Sequence, residues 1–331
     1  MKVIITGATG FIGRNLAEAL HHDGLEVIAT GQSLKVGKKL EQKGITFVPG
    51  DIRYPDQTDN AFSPADCVIH CAGKAGDWGK FTDFHMINFM GTNNVIQSCA
   101  RHEINKLIFV STPSIYYTGR DRINILESDP IPKKQFAYGK TKLMAEKNLL
   151  ELAKKGFKTI ILRPRAVYGR YDNTFVPRIL AMSEKKAFPL VNNGSALVDI
   201  TCIDNFIGAI KDCLSAPDDA WNEIYNISNS EPVTVREWFL LILNIFNRPF
   251  RPKNIPYPVA GMIAGMMEGL SLLPFGNKMP SMTRFSVGYM ARSMTLSIEK
   301  AKQKLNYSPQ ISNKQGFEDY KKWRTEIYTQ T

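Results

Sequence analysis

The chain has 331 residues, 44% hydrophobic and 22% charged, ordinary globular proportions that exclude a disordered, fibrous or small disulfide-stapled protein. Its net charge of +11 comes from dispersed basic residues, so a soluble basic protein with no nucleic-acid partner is expected, with room for anionic partners such as cofactor phosphates, acyl carriers or a membrane surface. Five cysteines, Cys67, Cys71, Cys99, Cys202 and Cys213, are expected as free thiols. The opening MKVIITGATG enters a strand-like run without a secretory pattern, so a cytoplasmic location is expected.

In chain order, residues 3–5 predict a first strand and 11–20 a first helix, followed by a strand at 27–29, a helix at 35–43 and a strand at 46–48. The alternation continues through a strand at 67–69, a helix at 86–101, a strand at 107–110, a helix at 138–155 and a strand at 159–162. Six strands alternating with helices predict an α/β fold with a doubly wound parallel Rossmann-type sheet. After Pro164 the alternation stops and Pro, Asn and Gly become frequent, which predicts a smaller C-terminal substrate lobe. The expected division is 1–165 for the dinucleotide-binding part and 166–331 for the lobe. Segments at about 197–230 are expected to return, because the apolar run 197–203 precedes an apolar helix at 206–214. The apolar stretch 259–275 contains Glu268 and Pro274 and falls short of the roughly 20 residues that span a bilayer. Resting on a membrane surface and collecting lipid substrate stays open for it.

Thr6-Gly7-Ala8-Thr9-Gly10-Phe11-Ile12-Gly13 follows the first strand and opens the first helix. Gly7 permits the tight turn, Gly10 lets a pyrophosphate approach the backbone, and Gly13 lets helix and strand pack closely, with Thr9, Phe11 and Ile12 completing the loop. At the position where NAD selection places a carboxylate, the chain reads Thr30-Gly31-Gln32-Ser33-Leu34-Lys35. Gln32 and Ser33, followed by Lys35, Lys38 and Lys39, suit the 2′-phosphate of NADP better than the bare ribose of NAD. Asp51-Ile52 is placed either to meet the adenine ring or to let the aspartate cap a helix.

Tyr138 and Lys142 lie four apart on a predicted helix, so both emerge on one face. A phenol is a poor acid or base at neutral pH unless an ammonium and an oxidised nicotinamide draw its pKa down. Thr112, ending the strand that runs through Ile108, is the candidate to polarise a substrate oxygen, with Ser111 as runner-up. The five histidines, at 21, 22, 70, 85 and 102, lack the spacing of a metal site.

With these motifs the chain resembles the extended short-chain dehydrogenase/reductases, also called NAD-dependent epimerase/dehydratases. The resemblance implies that Cys71, Ala72 and Gly73 lie along the cofactor after the fourth strand, that Asn88 is the helix asparagine near the active site, and that Tyr138 and Lys142 touch the cofactor. It also implies that Pro164 and Val167 belong to the segment beside the nicotinamide. Lys74-Ala75-Gly76-Asp77-Trp78-Gly79, Val198-Asp199-Ile200-Thr201 and Arg292-Ser293-Met294-Thr295-Leu296 resemble the branch of 3β-hydroxysteroid dehydrogenases and 2-alkyl-3-keto acid reductases. That branch implies interconversion of a ketone and a secondary alcohol on a hydrophobic substrate: a keto acid, a steroid or a lipid-like molecule. The Met-rich run 255–282 suits such a substrate or serves as ordinary core filler. The alternatives are a sugar-nucleotide epimerase or dehydratase using the same Tyr-Lys pair, and a non-catalytic cofactor-sensing protein. The family's usual mode implies a homodimer paired through the helices at 86–101 and 138–155.

Overall fold

The computed structural model describes residues 1–272 and 279–329. The strands β1 (Lys2–Thr6), β2 (Glu26–Gly31), β3 (Thr46–Pro49), β4 (Cys67–His70), β5 (Lys106–Val110), β6 (Lys158–Pro164) and β7 (Glu223–Ile227) form one parallel sheet. Their order is β7-β6-β5-β4-β1-β2-β3. The chain winds from β1 to β3 on one side, then crosses back to β4 on the other. Beyond the carboxyl ends of β1 and β4 lies the switch point where such sheets bind ligands.

Helices α1 (Phe11–His22), α2 (Leu34–Glu41), α3 (Gly91–Arg101), α4 (Ala137–Ala153) and α5 (Ile203–Leu214) cover the sheet. Strand residues alternate between its faces. Val3 and Ile5 pack with Leu16 of α1 and Phe206 of α5, while Ile4 packs with Val95 of α3 and Leu149 of α4. Burial on both faces accounts for the nearly continuous apolar runs in β1, β4 and β5. The expected helix over 86–101 is not uniform: α3 begins only at Gly91, after a wider π turn at His85–Met90 that follows Phe81–Phe84.

The sheet has one strand more than the six expected. The addition, β7, runs along β6 from Glu223 opposite Ile160 to Ile227 opposite Pro164. The apolar run 197–203 stays outside the main sheet. Leu197–Val198 lies between Val233–Thr234 and Met294–Leu296, and Thr201–Cys202 pairs with Val167–Tyr168. A strand from the first half, Arg122–Ile125, completes this small sheet beside Met294–Leu296. Later residues, Ile298, Ala301, Leu305 and Tyr307, pack back into the core that holds α1 and α5. A second core forms around Val176, Trp238, Phe239 and Phe317.

Helix α6 (Tyr257–Ser271) leaves Val259, Met262, Met266 and Leu270 exposed and is followed in the chain by α7 (Arg284–Ala291). The end of the 259–275 stretch lies outside the described residues. Among the described residues no helix is long and apolar enough to cross a membrane. All five cysteines are free thiols.

Candidate active site

The turn after β1 is closed by bare backbone. Gly7 has φ +70°, a left-handed conformation that favours glycine, and a Cβ there would meet the Ala72 nitrogen at 2.6 Å. A Cβ on Gly13 would overlap the Gly7 carbonyl, so α1 can rest on the turn only as glycine. Gly10 caps α1 without a side chain, and the first turn of the helix carries no acid. Its unpaired N–H groups and positive dipole end are free to face an anion, which fits a dinucleotide pyrophosphate. Thr9 crowds Gly31 and accepts the Ser33 N–H at 3.5 Å, tying the turn to the end of β2, while Phe11 and Ile12 are half-buried in the first helical turn.

At the ends of β2 and β3, Ser33 caps α2 by accepting the Val36 N–H at 3.4 Å. Lys35 is in the first turn of α2, but Lys38 and Lys39 fall in the last, away from the end of β2. Asp51 caps no helix, since the short helix Pro55–Asn60 begins behind Tyr54. Its carboxylate accepts the Arg53 amide at 3.0 Å and the Arg53 Nε at 2.9 Å, and the Gln32 side chain also donates to it. Burial pushes this carboxyl up, but the Arg53 and Gln32 hydrogen bonds outweigh it and hold it below the usual range. The Ile52 carbonyl is fixed by Asn94 at 2.8 Å. Arg53 was not singled out from the sequence, although its place directly after Asp51-Ile52 was the available signal.

The loop after β4 hangs on a buried chain of hydrogen bonds. Burial drives the His70 pKa down to about 3, so the ring is neutral. Thr92 Oγ1 donates to the Asn88 carbonyl at 2.7 Å, so it must accept from His70 Nε2 at 2.9 Å. Nδ1 is then the acceptor for the Thr6 hydroxyl at 2.6 Å, and Thr6 Oγ1 in turn accepts the Ala72 N–H at 3.3 Å. Cys71 donates its own N–H to the Thr6 carbonyl. Asn88, on the π turn, accepts the Lys74 N–H at 2.7 Å and donates to the Lys74 carbonyl and to Thr141 Oγ1. It braces this loop against α4. A Cβ on Gly73 would stand 3.2 Å from Asn88 Oδ1 and 3.7 Å from Lys142 Nζ.

Tyr138 and Lys142 both sit on α4, as their spacing predicts. The phenol lies beside Thr112 at the carboxyl edge of β5, and the Thr112 hydroxyl donates to Ser114 Oγ at 3.0 Å. Thr112 also accepts the Ser114 N–H at 3.1 Å, capping the turn Pro113–Tyr116. Lys142 is buried, with Nζ 3.9 Å from the Phe109 ring centre. Burial lowers its pKa to about 7, against the attraction of Glu146 and Cys71. The Tyr138 phenol is not drawn down in the protein alone: burial raises it, and Thr112 only partly opposes this.

Ser111 is engaged elsewhere. Its hydroxyl donates to Glu146, which pairs with Arg163 through contacts of 2.5 and 3.0 Å, both side chains 1% exposed. Arg163 also bonds the Tyr116 hydroxyl. Pro164 ends β6 opposite Ile227, and Val167 is paired with Thr201. The turn between them places Ala166 at φ +42°. Among the described residues no cluster of three metal-ligating side chains occurs.

A family model described as the NAD dependent epimerase/dehydratase family matches residues 3–228, more than half of the chain. The chain belongs to this family. It is an NAD(P)-dependent enzyme of the extended short-chain dehydrogenase/reductase type. It is 33% identical to a 2-alkyl-3-oxoalkanoate reductase of Stenotrophomonas maltophilia, over 96% of this chain and 97% of that one. It is 28% identical to the decarboxylating sterol-4-alpha-carboxylate 3-dehydrogenase of Mus musculus, over 94% and 87%. The UDP-glucuronic acid 4-epimerase of Bacillus cereus, solved with NAD, superposes with a TM-score of 0.77 over 99% of this chain and all of that one. At 24% identity this last likeness concerns the fold.

Proposed function

We propose that the protein interconverts a ketone and a secondary alcohol on a hydrophobic substrate, with Tyr138 as acid and base. The observation that carries this reading is the placing of the Tyr138 phenol beside Thr112 at the sheet edge, one helical turn from the buried Lys142. Two neighbouring hydroxyls can hold one carbonyl oxygen between them, Thr112 polarising it and Tyr138 giving or taking its proton. Lys142 supplies positive charge that favours the phenolate when the alcohol is oxidised. When bound, NAD(P) takes or supplies the hydride at the reacting carbon.

Gly7, Thr9, Gly10, Phe11 and Ile12 would hold the pyrophosphate, and Gln32, Ser33, Asp51 and Ile52 the adenosine. Cys71, Ala72, Gly73, Asn88, Pro164 and Val167 would flank the nicotinamide, beside Tyr138 and Lys142. We favour NADP: no carboxylate follows β2, and Arg53 stands next to Gln32 through Asp51. The names of the reductase and sterol dehydrogenase relatives favour ketone chemistry over epimerisation. The exposed apolar side of α6 supports contact with a lipid-like substrate or membrane surface, and exposed Met86 and Met90 support pairing of two copies.

The test is NAD(P)H oxidation with 3-keto acids, ketosteroids and nucleotide sugars, with Tyr138→Phe as control. Turnover of an apolar ketone that falls about 10²–10⁴-fold in the variant, with cofactor affinity kept, is expected. Activity confined to a nucleotide sugar would refute the reading.

A further inference from the structure

Arg165 is a buried cation that closes no ion pair among the described residues. Its side chain is 1% exposed, yet Nε and Nη1 have no hydrogen-bond partner among the described residues. Arg163, two positions earlier, is fully engaged by Glu146 and Tyr116. Buried polar groups are almost always paired, so an orphaned guanidinium calls for a ligand. One face of its plane is covered by the Tyr289 ring, 3.8 Å away, leaving the N–H edge for an acceptor. Asp199 attracts it without closing an ion pair, and its Oδ2 accepts the Leu296 N–H at 2.5 Å. Burial lowers the Arg165 pKa to about 9, so it is a cation at neutral pH.

Arg165 leaves the sheet at the carboxyl edge that also carries the reacting groups. On adjacent β5 and β6, Val110 stands opposite Leu162, and the Ser111 N–H reaches the Leu162 carbonyl at 2.7 Å. Continuing that register sets Thr112 level with Pro164, and Arg165 leaves the neighbouring strand one residue later. Parallel strands lie about 5 Å apart, so Arg165 emerges at the same edge as the Tyr138–Thr112 pair. The Tyr289 that covers it belongs to an apolar wall. Tyr289 stacks on Phe285 at 5.2 Å, Phe285 meets Phe136 at 4.7 Å, and Phe136 immediately precedes α4.

We propose that Arg165 is the carboxylate-binding residue of the substrate site, so that the substrate is an apolar acid whose carboxylate bonds the Arg165 guanidinium while its apolar body lies on the Phe136–Phe285–Tyr289 wall. The proposal deepens the reading of Tyr138 and rests on it for the position of the reacting oxygen. A carboxylate anchored there fixes the ketone against Tyr138 and excludes neutral ketones by leaving the cation unpaired.

The experiment uses full-length protein with NAD(P) and compares decanoate with methyl decanoate in binding, and a 2-alkyl-3-hydroxyalkanoate with its methyl ester in turnover. Decanoate is expected to bind about tenfold or more tightly than its ester, a preference that Arg165→Met abolishes and Arg165→Lys partly restores. KM for the hydroxy acid rises by about the same factor in Arg165→Met, while the ester's KM changes about threefold or less. Equal binding of acid and ester by the wild type overturns the proposal, as does an acid preference that survives Arg165→Met. Where Arg165→Met does not fold, as judged by circular dichroism, the Arg165→Lys protein carries the comparison, and an unaltered acid preference there overturns it equally. Binding of UDP that displaces decanoate and requires Arg165 would reassign the residue to a diphosphate and overturn it too. Acid-selective binding without oxidation of any alcohol keeps the carboxylate site and removes the oxidoreductase reading, so the two failures are distinguishable.

Discussion

Replacing Lys142 with methionine keeps the aliphatic stem and removes the charge, and its effect on stability should change with pH. The fold holds the Lys142 pKa near 7, below the ordinary 10.5, because the ammonium is buried. A lowered pKa contributes stability that is present above pH 10.5 and lost as pH falls through about 7. The full difference corresponds to about 5 kcal/mol between the two protonation states. Water entry on local opening trims it, so about 2–4 kcal/mol is expected to appear. In urea unfolding of the cofactor-free protein, Lys142→Met should be the more stable at pH 6 by that amount. The advantage should shrink towards pH 10, where the contact of Nζ with Phe109 no longer carries a charge. Stability curves for wild type and variant that run parallel from pH 6 to 10 would refute the assignment of Lys142 as a desolvated cation.

Thr112→Ala removes the hydroxyl beside Tyr138 and should lower kcat about 10²-fold with cofactor affinity unchanged, as measured by steady-state kinetics and fluorescence titration. Ser111→Ala should do the reverse, costing about 1–3 kcal/mol of stability by leaving buried Glu146 short of a donor, with kcat changed only a few-fold. Arg53→Ala should weaken NADPH binding about tenfold more than NADH binding, and equal losses for both cofactors would remove Arg53 from the 2′-phosphate site.

The glycine turn and the Tyr-Lys pair were legible because each is local: three glycines around one backbone crossing, and two side chains one helical turn apart. The choice between Ser111 and Thr112 was not legible, because it depends on which side of β5 meets Glu146, a residue 35 positions later. Two apolar runs competed for the seventh strand. Glu223–Ile227 won through its register along β6, which no single-strand pattern contains. Arg53 and Arg165 escaped notice for the same reason. Arg53 declares itself only through the geometry of its bond to Asp51, and Arg165 only through a ring supplied by α7.

The strand Arg122–Ile125, at the edge of a sheet otherwise made from residues beyond 196, ties the two lobes together along the chain. One cut in the chain cannot release the second lobe as a transferable cassette, because a strand of it lies upstream and residues 298–307 belong to the first core. Chimeras joined at a single crossover near residue 165 would mismatch both interfaces at once. A change of substrate range in this protein is therefore expected from point changes on an intact chain rather than from exchange of the whole second lobe.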